Sequence, residues 1–132
     1  GVDEQLLVIH NDKDLGSSIA SGTFLHDGMI IVPCSSNSVD AIASGLTNTL
    51  VQRAASVTLK ERRTLVVAHR ETPLSHIDVE NIATLSRAGA IIAPLSPGFY
   101  VQPKTIDDLV DFMAGKLVDL VGVNHDLPVR WC

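Results

Sequence analysis

Three times between residues 29 and 100 the chain passes through an unbroken apolar run and then breaks at once into polar, turn-forming residues. Met29-Ile30-Ile31-Val32 leads into Pro33-Cys34-Ser35-Ser36-Asn37-Ser38. Leu65-Val66-Val67-Ala68 leads into His69-Arg70-Glu71-Thr72-Pro73. Ala90-Ile91-Ile92-Ala93 leads into Pro94 and then Pro97-Gly98-Phe99-Tyr100. A strand with one wet face alternates apolar and polar residues, whereas a continuous run marks a strand covered on both faces. A helical pattern follows each turn, so the predicted fold is α/β, a sandwich around a mainly parallel sheet. Right-handed crossovers would place the three strand-end loops along one edge. Open α/β sheets bind ligands at that edge, which makes these turns the candidate site.

Around those strands the pattern predicts further elements. Leu6 to Ile9 reads as a short strand, and Asp12 or Asp14 as the cap of a helix from Leu15 to Ala20. Val39, Ile42 and Ala43 have helical spacing between Ser38 and Ser44, with Gly45 as the stop. Asn48 could cap a second helix whose apolar face holds Leu50, Val51, Ala54, Ala55 and Leu59. Ser75 can cap a third, with Ile77, Ile82 and Leu85 inward and Gly89 at its end. Thr105 and Asp108 resemble a capping box. They open a long helix with Ile106, Leu109, Val110, Met113, Leu117, Leu120 and Val121 inward, closed by Gly122. Residues 124 to 132 read as a polar tail whose Trp131 is expected to pack on a neighbouring surface.

A chain of 132 residues with 45% hydrophobic content is expected to form a single domain over residues 1–132 with a sizeable core. The net charge of −5 argues against a nucleic-acid partner, which would need a basic face. Yet five of the ten Lys and Arg residues (Arg53, Lys60, Arg62, Arg63 and Arg70) fall within 18 positions, where Glu61 is the lone acid. Positive charge concentrated beside a loop cluster suits a small anionic ligand. Cys34 and Cys132 lack metal-ligand spacing. Cys34 reads as a small buried residue, with a nucleophile as the alternative. The five histidines show no HExxH or similar pattern, so no metal is expected. No apolar run approaches the ~20 residues of a membrane span, and no signal peptide is visible, which leaves the cytoplasm as the expected location.

Several side chains at the predicted edge suit chemistry. Ser35, Ser36, Asn37 and Ser38 supply hydroxyls, an amide and backbone N–H groups at a helix start, an anion or cofactor cradle. The plainer reading is N-capping by Ser38 alone. Arg70 offers a planar fork for phosphate or carboxylate, and Glu71 beside it could move protons; a surface Arg–Glu pair is the alternative. Arg53 and Lys60 read as ligand-facing cations, whereas Glu61, Arg62 and Arg63 read as a solvated helix end. Tyr100, the single tyrosine, sits in a loop stiffened by Pro94, Pro97 and Pro103, where its hydroxyl could orient a ligand. A core ring is the alternative there.

The stretches Asp27-Gly28-Met29-Ile30-Ile31-Val32-Pro33-Cys34-Ser35, Arg53-Ala54-Ala55, Leu59-Lys60-Glu61-Arg62-Arg63, Arg70-Glu71-Thr72-Pro73-Leu74, Gly98-Phe99-Tyr100 and Thr105 to Phe112 together resemble the flavin prenyltransferase family (UbiX-type). The resemblance covers nearly the whole chain in unbroken order. It implies a three-layer sandwich with a Rossmann/flavodoxin-like sheet. It also implies transfer of a dimethylallyl group from dimethylallyl monophosphate to reduced FMN, giving the prenylated flavin used by a separate decarboxylase. Ser35, Ser36, Asn37, Ser38 and Arg70 then resemble FMN-contacting positions. Arg53, Lys60, Tyr100 and Lys116 resemble the group that holds the prenyl phosphate, and Glu71 resembles the proton-handling acid. Members work as homo-oligomers, typically dodecamers, with active sites between subunits.

Three departures accompany the resemblance. Family members begin with a strand, a Gly-rich loop and a helix that have no counterpart here, so an apolar gap in the sheet is expected, filled by a longer natural chain or by another chain. Lys116 stands where arginine is common, keeping the charge but losing bidentate geometry. Ser36-Asn37-Ser38 replaces a lysine- or glycine-containing turn. Two other readings stand beside the prenyltransferase: a flavin-dependent cysteine decarboxylase, and a non-catalytic flavin-binding accessory subunit of an aromatic-acid decarboxylase.

Overall fold

A computed structural model describes residues 1–129 of the chain. The three apolar runs form a parallel sheet in the order β1-β2-β3, with β1 at Met29–Cys34, β2 at Leu65–His69 and β3 at Ile91–Ile92. Met29 lies opposite Leu65 and Ile31 opposite Val67. The register shifts before Cys34 meets His69. Only two residues of the third run pair as a strand, although Ala93 N–H still donates to Val67 O and Leu95 N–H to His69 O.

Between the strands run α1 (Ser36–Ala43), α2 (Leu50–Lys60) and α3 (His76–Arg87), and α4 (Ile106–Leu120) follows β3. Successive strand residues face opposite sides of a sheet. Accordingly Ile31, Leu65 and Val67 pack with Val39, Ile42, Ala55 and Leu85 of α1, α2 and α3. Val66 and Ala68 face the other way, against Leu117 of α4. All of β2 is buried, so the central strand has two covered faces, as its lack of alternation requires. The result is three layers, helices on both sides of a parallel sheet.

Local signals set the helix ends. Ser75 accepts from Asp78 N–H while the Asp78 carboxylate accepts from Ser75 N–H, and Thr105 and Asp108 repeat the arrangement at α4. Gly89 after α3 and Gly122 after α4 have φ of +111° and +77°, values a side chain would strain.

Four sequence expectations require correction. Leu6 to Ile9 is not a strand: a 3-10 turn covers Glu4–Leu6, and the apolar side chains lie exposed. A strand needs a partner for its N–H and C=O groups, and among the described residues no strand pairs with this segment. The helix expected over Leu15 to Ala20 shrinks to a 3-10 turn at Ser18–Ala20, too short a stretch to repay nucleation. The α1 cap is Ser35 rather than Ser38, and the α2 cap is Thr49 rather than Asn48. Ile77, Ile106 and Val110 point to solvent, as does Val51 at the edge of its stripe. The expectation for Trp131 lies outside the described residues.

An apolar trough of about 450 Å³ separates β1 from α4, walled by Ile30, Val32, Leu95, Met113 and Leu117. β1 is an edge strand here, and Val32 is exposed. Among the described residues no helix is long and apolar enough to cross a membrane.

Candidate functional site

Because the sheet is parallel, all three strands deliver their carboxyl ends to one edge. Backbone bonds stitch the loops there: Arg70 N–H donates to Cys34 O at 3.0 Å, and Leu95 N–H to His69 O at 2.9 Å. The turn 35–38, the loop 70–75 and the proline-rich loop from Pro94 are therefore neighbours.

In the first turn, Ser35 Oγ accepts from Ser38 N–H at 3.3 Å and donates to Ser38 Oγ at 3.4 Å. That leaves the N–H groups of Ser36 and Asn37 among the helix's unpartnered donors, at the positive end of its dipole. Asn37 is exposed, and with Ser38 it borders a cavity of about 440 Å³ that also reaches Pro33, Asp12 and Gln52. Ser36 turns inward, its Oγ 3.1 Å from Nε2 of the buried His69.

On the adjoining loop, Arg70 and Glu71 line a cavity of about 280 Å³ with His69, Thr72, Pro94 and Ser96. Arg70 is exposed and Glu71 half-buried. They form no ion pair with each other, so the surface-pair reading fails. Pro94 and Ser96 are shared with a neighbouring cavity of about 270 Å³, which Tyr100, Phe112 and Lys116 also line. Tyr100 is 58% exposed and stacks edge-on against Phe112, with ring centroids 6.1 Å apart. Gly98 supports that loop closely: a Cβ there would lie 2.9 Å from Phe112 Cζ.

Arg53 and Lys60 do not join this group. They border a separate cavity of about 340 Å³, beside Gly16, Ser17, Ser21 and Gly22. The reason is topological. Helix α2 carries the chain back from the carboxyl end of β1 to the amino end of β2, so Lys60, five positions before Leu65, sits at the opposite edge. Within one chain the predicted cations thus split into two sets. Each of Arg53, Lys60, Arg70 and Lys116 is without a carboxylate partner among the described residues; the ion pairs found there are His76–Glu80 and His125–Asp119.

Arg63 corrects the solvated-end reading, because its two Nη atoms donate to Phe24 O and Gly22 O, each at 2.8 Å. Cys34 is fully buried, and burial pushes its thiol up to about 11, as suits a packing residue rather than a nucleophile. Asp78, also buried, is held below the usual carboxylate range. The Ser75 backbone N–H is the main cause, helped by the Ser75 and Ser36 hydroxyls and by His69, and opposed by desolvation. The sequence reading passed over His69 and Asp78. Their link to Ser36 spans 33 and 42 positions and leaves no local pattern.

Comparison with known proteins adds four findings. A family model described as Flavoprotein matches residues 7–118. A flavin prenyltransferase UbiX of Thermoplasma acidophilum is 53% identical over 127 residues, covering 95% of this chain and 71% of its own length. Among solved structures, AnUbiX in complex with FMN and dimethylallyl pyrophosphate aligns with a TM-score of 0.85 at 46% identity, over 87% of this chain and 61% of that one. A dodecameric FMN-dependent UbiX-like decarboxylase from Escherichia coli O157:H7 aligns at 0.90 with 44% identity, over 93% and 66%. The chain spans about two thirds of the length of these proteins.

Proposed function

The chain belongs to the flavin prenyltransferase family of flavoproteins, and from that premise we propose that it joins a dimethylallyl group from dimethylallyl monophosphate to reduced FMN, making the prenylated FMN cofactor of a partner decarboxylase. The observation that carries this reading is the set of cations without carboxylate partners, two of them at the strand-end edge with Glu71 and Tyr100. A related structure holding FMN and dimethylallyl pyrophosphate supports it.

The donor set fits a flavin. The first turn of α1 presents N–H groups and small hydroxyls, and the cavity beside Asn37 and Ser38 has a volume in the range of small-molecule sites. Ser35, Ser36, Asn37, Ser38 and Arg70 would hold FMN, which when bound supplies the nucleophile of the transfer. Leaving phosphate gathers negative charge as its bond to the allylic carbon breaks. Lys116 and the Tyr100 hydroxyl, with Arg53 and Lys60, would stabilise that charge without a metal. Glu71, half-buried, would take the proton released as the adduct forms.

Arg53 and Lys60 line a cavity separate from the one at Arg70 and Glu71, so the reading has them supplied by another copy and includes a homo-oligomer with sites shared between subunits. The dodecameric relative supports such an assembly. A cytoplasmic location, where a buried free thiol such as Cys34 stays reduced, belongs to the same reading.

Incubation with reduced FMN and dimethylallyl monophosphate tests the proposal. The expected product is a flavin heavier by one dimethylallyl unit. Flavin retained with no mass change would instead indicate an accessory flavin-binding subunit. No flavin retention would overturn both readings.

A further inference from the structure

Beneath the α1 turn three polar side chains come together from three elements: the half-buried Ser36 on α1 and the buried His69 at the end of β2 and Asp78 on α3. Ser36 Oγ is 3.1 Å from His69 Nε2. His69 is 5% exposed and Asp78 9%. Buried polar atoms are costly unless paired, and a fully paired group fixes the elements that bear it. Asp78 is itself immobilised by its capping box with Ser75, at 3.0 and 3.1 Å. Asn81 of α3 adds a second tie to α1, donating to Asp40 Oδ1 at 2.9 Å.

The Ser36 Oγ–His69 Nε2 contact is a single hydrogen bond whose donor is set by the tautomer of the ring. Asp78, pinned by its capping box, has its carboxyl held below the usual range chiefly by the Ser75 backbone N–H, with the Ser36 hydroxyl and His69 as smaller contributors. His69 also borders the cavity that contains Arg70 and Glu71, so the same imbedded ring forms part of the wall of the site.

We propose that His69 is a positioning residue of the flavin site, which through its contact with Ser36 Oγ ties β2 to α1 and thereby presets the N-terminal turn of α1 for the cofactor. This rests on the reading that flavin occupies that turn. Preorganised donors cost less to order on binding than mobile ones. Without that contact, the Ser36 hydroxyl can rotate and the first turn of α1 loses its tie to β2.

The test measures FMN affinity of the full chain by quenching of flavin fluorescence, with thermal unfolding recorded for every variant. His69→Phe and Ser36→Ala should each weaken FMN binding by roughly tenfold, the size expected for one lost buried hydrogen bond. Ser36→Ala removes a single oxygen and keeps the test valid if His69→Phe fails to fold. The double variant should bind no worse than the weaker single, because both changes break the same contact. His69→Gln, whose amide can replace Nε2 as the hydrogen-bond partner of Ser36, should restore affinity to within about threefold of the unsubstituted chain. A purely structural role would shift the unfolding temperature and leave FMN affinity alone, and that result would overturn the proposal. Independent effects that multiply in the double variant would overturn it too. In both cases the unsubstituted chain still binds FMN and the functional reading survives; no binding by the unsubstituted chain would remove both.

Discussion

Asp12 caps helix α2 from outside the helix: its Oδ1 accepts from Val51 N–H at 2.9 Å while its backbone O accepts from Leu50 N–H at 2.7 Å. Thr49 Oγ1 takes the next donor, Gln52 N–H, at 3.2 Å. Three successive N–H groups that a helix start leaves orphaned are thus satisfied, two of them from 39 or fewer positions away in sequence. The contact binds the N-terminal segment to the helix that bears Arg53 and Lys60. Asp12→Ala should therefore lower stability by about 1 kcal/mol, the usual worth of a cap. Asp12→Asn should lose less. Urea unfolding of the two variants measures the difference.

The capping boxes make stability depend on acid. Asp78 and Asp108 are both held below their ordinary value of 3.8, chiefly by backbone N–H groups of Ser75 and of Lys104 and Thr105. A carboxyl with a lower value in the fold than in the unfolded chain stabilises fully above the unfolded value. That contribution is lost as pH falls through the folded one. The fold should weaken progressively below about pH 4 for this reason. The double variant Asp78→Asn/Asp108→Asn should start less stable at neutral pH and lose less on acidification. Urea midpoints at neutral and acid pH compare the two chains.

Gly115 is the place where the chain after α4 lies closest to the helix. A Cβ there would press on Val129 Cγ1 and stand 3.1 Å from His125 Cε1 and 3.2 Å from Leu127 Cβ. His125 is itself fixed, with Nε2 2.7 Å from Asp119 Oδ1 and Nδ1 accepting from Leu127 N–H at 3.0 Å. In an open helix Gly→Ala gains about 1 kcal/mol. Here the crowding should reverse the sign, because the added methyl displaces the buried Val129. The expected result for Gly115→Ala is a lower unfolding temperature and faster proteolysis after Gly122.

Cys34 should be inert while the chain is folded. It is 0% exposed and its thiol is raised to about 11, so almost no thiolate forms near neutral pH. In a Cys132→Ser background, a thiol reagent should label Cys34 only after denaturant is added. Rapid labelling of the native chain would contradict the burial.

The sheet and most helix boundaries were legible because their causes are local. Unbroken apolar runs gave the three strands, and Ser75 and Thr105 carried their own capping boxes. Leu6 to Ile9 misled because strand propensity is met only when an edge is there to pair with it. Ile77 and Ile106 misled because the first turn of a helix can overhang the layer it packs on. Arg53 and Lys60 look adjacent to Arg70 in sequence, yet they line a different cavity, and a helix that returns along the sheet carries Lys60 to the far edge. Connectivity alone implied that, since Lys60 closely precedes β2. The place of His69 could not be found from local pattern, because the hydroxyl it meets belongs to a distant turn.

The most direct test of a site shared between copies is complementation between two inactive variants. Arg53→Ala removes a cation on one side of the proposed interface, and Glu71→Gln removes the acid on the other. Each alone should abolish most flavin prenylation. Co-expressed as a random one-to-one mixture, they pair an intact Arg53 with an intact Glu71 at about a quarter of interfaces, each the same in a symmetric assembly. The expected result is recovery of up to that share of the unsubstituted activity. A mixture as inactive as its parents, with both variants folded and assembled, would contradict a site built from two copies.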